Sequence, residues 1–116
     1  MKHNEDYLQM SCVRWFGLQY PEYARLLHHS PNGGYRNARE AARFKAMGTR
    51  AGFPDLILLV ARGGYHFLAV EMKTDKGKQS EFQREYERLI TEQGGIYYVC
   101  RDIESFISIV NGYMQK

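Results

Sequence analysis

The chain has 116 residues, which is enough for one domain over residues 1–116 and leaves no room for a second. Its composition of 44% hydrophobic and 25% charged residues is typical of a globular protein. No apolar run approaches the ~20 residues that span a bilayer, and the polar N-terminus has no signal-peptide core behind it, so we exclude a membrane partner and expect a soluble, cytoplasmic protein. The net charge of +3 suits a polyanionic partner but does not identify one, because many enzymes are mildly basic.

The first half of the chain predicts two helices. The first begins at Asn4, a good N-cap, and ends near Gly17 and Pro21. Its apolar residues follow helical spacing: Leu8, Cys12, Trp15 and Phe16. Residues 24–29 indicate a short strand, and a turn at residues 30–34 separates it from a second helix over residues 38–47.

The second half predicts three strands and two further helices. The strands cover residues 56–60, 66–73 and 96–100, one helix begins near Ser80 with Phe82, Tyr86, Leu89 and Ile90 facing the core, and Asp102 caps the last helix. The fold class is therefore α/β, with the element order α-β-α-β-β-α-β-α and a mixed sheet flanked by helices.

Three charged residues stand out on the apolar hairpin formed by the strands at 56–60 and 66–73. Alternation along the second strand places Glu71 and Lys73 on one face, and Asp55 lies at the end of the neighbouring strand. An ordinary surface salt bridge would explain Glu71 and Lys73, with Asp55 as a turn residue. The coincidence of all three on one apolar hairpin favours a functional site.

The register of the hairpin decides whether these groups meet. A regular two-residue loop at Gly63-Gly64 pairs Arg62 with Tyr65 and puts Asp55 opposite Met72, pointing away from Glu71. A one-residue shift would place Asp55 opposite Glu71 on the same face, and a bend at Pro54 could also redirect it. We predict that one of these distortions occurs.

Two converging carboxylates are costly unless a cation neutralises them. Oxygen ligands suit Mg²⁺ or Mn²⁺, which also bind substrate phosphate, acidify water and stabilise a leaving oxygen. Lys73 could orient the attacking hydroxide or offset transition-state charge. No organic cofactor is expected. Zinc is not expected either, because neither the histidines His28 and His29 nor the cysteines have zinc-site spacing, and Cys12 and Cys100 are predicted to be buried free thiols.

The sequence resembles a known nuclease family. Pro54-Asp55, a spacer and Glu71-Met72-Lys73 resemble the Pro-Asp…Glu-x-Lys signature of restriction-endonuclease-like nucleases. Further segments resemble the VRR-NUC family in particular, over about residues 5–113: His29-Ser30-Pro31-Asn32-Gly33-Gly34, Gly52-Phe53-Pro54-Asp55-Leu56, Val70-Glu71-Met72-Lys73, Ser80-x-x-Gln83, and a first helix with Glu5 and Gln9.

The resemblance implies a metal held by Asp55, Glu71 and the backbone carbonyl of Met72, with Lys73 as the catalytic lysine. It also implies site roles for Gln83 and Glu5. Each of these has a structural alternative, since Ser80-x-x-Gln83 is a capping box and Glu5 could interact with the helix dipole. The absence of a fused helicase or repair-nuclease region suits the stand-alone members, which resemble Holliday-junction resolvases, are expected to be homodimers and are often viral or from mobile elements.

Basic residues are expected to contact DNA along its backbone rather than to read bases. Lys76 and Lys78 follow the catalytic strand, where substrate phosphate should pass. Five more lie on or near the second helix, where a solvated helix face is the alternative: Arg36, Arg39, Arg43, Lys45 and Arg50.

Three functions remain open from the sequence. The first is a Mg²⁺- or Mn²⁺-dependent endodeoxyribonuclease selective for branched DNA, and the second is a less selective nuclease acting on flaps, ends or single strands. The third is a non-catalytic DNA-binding module on the same fold.

Overall fold

A computed structural model describes residues 2–31 and 37–116, with the backbone alone for residues 2–4. Within them lie four α-helices: α1 (Lys2–Gln19), α2 (Ala38–Ala46), α3 (Glu81–Glu92) and α4 (Ile103–Met114). The strands are β1 (Leu27–His29), β2 (Leu56–Leu58), β3 (Leu68–Met72) and β4 (Ile96–Cys100), and a 3-10 helix covers Pro21–Leu26. Arg36 and the Asn32-Gly33-Gly34 turn lie outside the described residues.

The described strands form one mixed sheet in the order β1-β2-β3-β4. β1 and β2 pair antiparallel, as do β2 and β3, whereas β3 and β4 are parallel. A parallel pair requires a crossover, and α3 provides it. The predicted α/β class, mixed sheet and element order are confirmed.

Side-chain caps fix where three helices begin, as the sequence predicted. The Asn37 side chain accepts the Glu40 N–H at 2.8 Å, and Asp102 accepts the Ser105 N–H at 2.7 Å. Ser80 and Gln83 form a complete capping box at the start of α3. The start of α3 matters most for function, because the preceding loop and β3 carry the candidate site.

Several predicted boundaries were wrong. α1 begins at Lys2, so Asn4 is inside the helix rather than its N-cap, and the helix continues through Gly17. Residues 21–26 form a 3-10 helix that begins at a proline, so the first strand is shorter than predicted. The hairpin strands are also shorter, since the ladder ends at Leu58 and begins again at Leu68. Phe82 of α3, predicted to face the core, is 66% exposed.

The sheet has an apolar layer on each face. On one face α1 and α4 pack against the sheet, with Phe16, Phe106 and Val110 buried against Leu56 and Val70. On the other face, Ala69 and Tyr97 pack with Ile90 of α3. All five residues of β3 are buried, as expected for an interior strand of the sheet.

The two cysteines lie in the first of these layers. Cys12 of α1 and Cys100 of β4 are free and fully buried, as predicted. A hydrogen bond with Cys100, and then burial, raise the pKa of the Cys12 thiol.

Among the described helices, none combines the length and the apolar content needed to cross a bilayer.

Candidate active site and metal centre

The hairpin that joins β2 to β3 is distorted, as predicted. Arg62 pairs with Tyr65 across the glycine turn, but Leu58 pairs with Leu68. The three residues 59–61 therefore lie opposite the two residues 66–67, and the one extra residue forms a bulge. Continued past Leu56↔Val70, this register places Asp55 opposite Glu71 and on the same face of the sheet.

Asp55 is held between the ends of β1 and β3. Its Oδ2 accepts the backbone N–H of Met72 at 2.7 Å. Its carbonyl oxygen accepts the Ser30 N–H at 3.0 Å and lies 3.1 Å from Nδ1 of His29. These contacts tie Asp55 to the ends of both strands.

The loop before Asp55 packs closely on the start of α3. Gly52 has a φ of 82°, a region that favours glycine, and a Cβ at this position would lie 2.5 Å from Cβ of Phe82. A side chain at position 52 would therefore push the loop away from α3. Gly52 is required here for both backbone conformation and close approach.

Glu71 is a fully buried carboxylate with its two oxygens in different environments. Oε1 accepts hydrogen bonds from the Tyr97 hydroxyl and from Nε2 of Gln79, the latter at 3.2 Å. Oε2 has no hydrogen-bond partner among the described residues. A buried polar atom without a partner is uncommon and often marks a site for an ion or a water molecule.

Lys73 supplies positive charge beside this oxygen. Its Nζ lies 3.5 Å from Oε2 of Glu71, and its side chain is 14% exposed. The ammonium is therefore close to the carboxylate and still reaches solvent. Alternation along β3 puts Glu71 and Lys73 on one face, as the sequence predicted.

The electrostatics around Asp55 show that acidic groups converge there. Burial raises the pKa of Asp55 above its usual value, and repulsion from Glu5 and Glu71 raises it further. The Met72 N–H and His29 act in the opposite direction. Glu5, on the first turns of α1, therefore lies within electrostatic range of Asp55.

The residues present fit a hard divalent cation. Asp55 and Glu71 offer carboxylate oxygens, one of them buried and unpaired, and the carbonyl of Met72 follows Glu71 directly along β3. Among the side chains described, those of residues 5–31 and 37–116, no group of three or more His, Cys, Asp or Glu converges to hold an ion. Two carboxylates with backbone and water oxygens match Mg²⁺ or Mn²⁺, which retain several waters.

Gln83 is engaged at the helix start. Its Oε1 accepts the Ser80 N–H at 2.8 Å, and its own N–H donates to Ser80 Oγ at 3.1 Å. Gln83 therefore has the helix-capping role that the sequence offered as its structural alternative. A second role toward substrate stays a prediction.

The basic residues predicted to contact DNA lie in two exposed regions. Lys76 and Lys78 are on the loop between β3 and α3. The others that the structure describes lie on α2 or just after it and are all exposed: Arg39, Arg43, Lys45 and Arg50.

Sequence reasoning missed three residues that shape the site, and it named His29 without finding its contact with Asp55. Tyr97 and Gln79 fix Oε1 of Glu71, and His29 contacts the Asp55 carbonyl. Arg101 holds the lysine-bearing loop, since its Nη1 donates to the carbonyls of Thr74 at 2.7 Å and Gly77 at 2.8 Å. A signal existed for Tyr97, because a tyrosine in a buried strand usually needs a partner for its hydroxyl.

Comparisons with known proteins identify the family and the fold. The VRR-NUC domain model matches residues 2–102. A solved structure described as a VRR_NUC domain protein is 33% identical, covers 96% of this chain and 88% of its own, and has a TM-score of 0.83. No protein of curated function matches the chain.

The fold and the match define a protein of nuclease-type fold. The chain belongs to the VRR-NUC family.

Proposed function

We propose that the protein is a divalent-metal-dependent endodeoxyribonuclease that hydrolyses phosphodiester bonds. The main support is a bulged hairpin whose register, continued one residue past Leu56↔Val70, brings Asp55 opposite Glu71. Oε2 of Glu71 is buried, has no hydrogen-bond partner among the described residues and lies 3.5 Å from the Lys73 ammonium. A purely structural salt bridge would not need the second carboxylate. Nor would it need a bulge that turns that carboxylate to the same face.

Asp55, Glu71 and the Met72 carbonyl would hold Mg²⁺ or Mn²⁺. When bound, the cation supplies an acidified water, a polarised phosphorus–oxygen bond and charge for the leaving oxygen. The raised pKa of Asp55 supports this assignment, because a nearby cation would relieve the repulsion that Glu5 and Glu71 exert on it.

Lys73 acts on the phosphate itself. Its Nζ has three N–H donors, and its contact with Oε2 of Glu71 is an ion pair at 3.5 Å that occupies at most one of them. The remaining donors can orient the nucleophile or bind a non-bridging oxygen where negative charge grows during attack.

Tyr97 and Gln79 keep the Glu71 carboxylate in one orientation. Both donate to Oε1, which leaves Oε2 as the oxygen that faces Lys73 and would be available to hold the ion. Partners of this kind tune metal ligands without touching the metal.

Branched DNA is the proposed target, and a homodimer is the proposed assembly. The basic loop at Lys76 and Lys78 adjoins the catalytic strand, and the second basic group lies on α2 and just after it. Such contacts suit recognition of backbone shape rather than sequence. Cutting both strands at a junction requires two sites, which a symmetric dimer would provide.

Cleavage assays test this proposal directly. We expect purified protein to cut a four-way junction with Mn²⁺ or Mg²⁺ and not with EDTA, and to cut flaps and linear duplexes more slowly. Asp55→Ala and Lys73→Ala should each lower the rate by at least ~100-fold while the circular dichroism spectrum is retained, in line with the loss of an electrostatic catalytic group.

Two results would reject parts of the proposal. Undiminished cutting by either variant would reject the mechanism. DNA binding that persists in EDTA, with no cutting under any divalent ion, would instead identify a non-catalytic binding module. Equal cutting of all three substrates would leave the nuclease and remove the preference for branches.

A further inference from the structure

A groove runs between α2 and α3 and leads away from Asp55. It consists of two adjoining hollows, of about 440 and 350 Å³, which share Thr49, Arg50 and Tyr86 as lining residues. The nucleotide-cutting chemistry assigned above does not use this groove.

The lining combines aromatic rings with positive charge. Phe44, Phe82 and Tyr86 line the larger hollow, together with the cations Lys45 and Arg50. No acidic side chain is found among the described residues that line either hollow. Phe82 is 66% exposed, so one of these rings is largely open to solvent.

The groove begins at the candidate active site. Ser30 and Phe53 line the smaller hollow, and the Ser30 N–H donates to the Asp55 carbonyl at 3.0 Å. The other end of the groove, at Phe82, is also close to Asp55. Gly52 packs directly on Phe82 and lies three residues before Asp55 in the chain. Three residues span at most roughly 11 Å, which corresponds to about three nucleotides at ~3.4 Å each along one strand.

Arg50 is positioned to meet a phosphate along this path. Its Nη1 donates to the backbone carbonyl of Lys45 at 3.1 Å, which fixes the guanidinium at the rim. The guanidinium has five N–H donors in a planar fork that suits phosphate oxygens.

We propose that this groove binds an unpaired nucleotide of the DNA substrate, with its base against Phe82 and its phosphate at Arg50 and Lys45. Aromatic rings beside a basic track are the combination that binds single strands, since every base offers a π-face. A base inside a duplex cannot offer that face, because it is stacked on both sides. The inference rests on the proposed nuclease function and narrows its substrate to DNA unpaired within about three nucleotides of the cut.

The test combines a change in the protein with a change in the DNA. Affinity is measured in EDTA for a forked duplex whose single-stranded arm lacks one base at each of the first three positions in turn. For the unaltered protein, one abasic position should weaken binding about tenfold, the typical value of one stacked base. Phe82→Ala should weaken binding to the intact fork by a similar factor and should be insensitive to base removal. Phe82→Tyr should restore both the affinity and the sensitivity.

Leu18→Ala is the matched control, because Leu18 is 75% exposed on α1 and does not line the groove. It should bind like the unaltered protein. If base removal weakens binding by Phe82→Ala as strongly as binding by the unaltered protein, the groove does not hold a base. The same conclusion follows if neither base removal nor Phe82→Ala weakens binding. If Phe82→Ala instead converts a dimer to a monomer in sedimentation, with the DNA response unchanged, the groove is an interface between copies and the inference is overturned.

The two proposals can fail separately. Metal-dependent cutting that is indifferent to Phe82 would reject the groove assignment alone. Failure to bind or cut any DNA would reject the proposed function, and the groove assignment with it.

Discussion

At the residue scale, ionisation of Asp55 lowers the stability of the folded protein. Burial, Glu5 and Glu71 raise its pKa above the value of an unfolded chain. Because the pKa is higher in the folded protein than in the unfolded chain, the charged carboxylate destabilises the fold at pH values above the folded-state pKa. This penalty shrinks as the pH falls through the folded-state pKa and is gone below the unfolded-state pKa. Site residues often carry such a penalty, because function needs the charge.

Asp55→Asn should therefore stabilise the metal-free protein while abolishing cleavage. The asparagine oxygen can still accept the Met72 N–H, so the charge is the main change. We expect a gain of about 1 kcal/mol at neutral pH, seen as a rise in melting temperature of roughly 4 °C in EDTA.

The pH and metal dependence provide the controls for this variant. The stability difference between the two proteins should shrink as the pH falls through the Asp55 pKa, and Mn²⁺ should stabilise only the unaltered protein. A less stable Asp55→Asn in EDTA would contradict the unfavourable environment assigned to Asp55.

Tyr97 is the second residue whose role can be separated from folding. Tyr97→Phe removes the hydroxyl that donates to Oε1 of Glu71 but keeps the buried ring. We expect kcat to fall by about tenfold and the apparent Mn²⁺ affinity to weaken similarly, as is typical for partners of metal ligands. The KM for DNA should change little.

Tyr98→Phe is the matched control for Tyr97. Tyr98 is the next residue of β4 and packs on the opposite face of the sheet. It should leave kcat and metal affinity unchanged. If both variants lose activity equally, the hydroxyl of Tyr97 does not orient Glu71.

Sequence reasoning found the charged residues at this scale but not those that orient them. Glu71 and Lys73 could be placed on one face because alternation in a strand is geometrically fixed. Tyr97 and Gln79 could not be assigned to Glu71, because their contacts depend on the crossover that brings β4 beside β3 and on the path of the loop before α3.

At the scale of elements, the bulged hairpin decides whether a site exists. The turn at Gly63-Gly64 was predictable from glycine alone, and Arg62 does pair with Tyr65. The position of the extra residue was not predictable, because it depends on how Leu58 and Leu68 pack in the core. From the sequence we could predict only that the hairpin is shifted by one residue or that the chain bends at Pro54.

The start of α3 offers a test of what Gln83 does. Ser80→Ala and Gln83→Ala each break the capping box, so each should lower the free energy of unfolding by about 1 kcal/mol. Both variants should retain similar cleavage rates per folded molecule if Gln83 acts only through the cap.

Single-turnover rates with excess enzyme distinguish the two roles of Gln83. Urea unfolding under the same conditions supplies the folded fraction for each variant. A rate loss in Gln83→Ala that exceeds the loss in Ser80→Ala by tenfold or more would contradict a cap-only role and place Gln83 against substrate.

At the scale of the whole molecule, the site forms where several layers meet. α1 brings Glu5 toward Asp55, the hairpin supplies Asp55, Glu71 and Lys73, and β4 supplies Tyr97. The element order was predictable because periodicity marks most helices and strands. The convergence of α1 on the hairpin was not, since nothing local in the sequence specifies the packing of distant elements.

The central claim is that Asp55 and Glu71 share one cation, and a crystal structure grown with Mn²⁺ tests it most directly. Anomalous scattering should reveal an ion bound by both carboxylates and the Met72 carbonyl, with metal–oxygen distances of roughly 2.0–2.3 Å. A map with no anomalous peak between those carboxylates, or with Mn²⁺ bound only elsewhere, would contradict it.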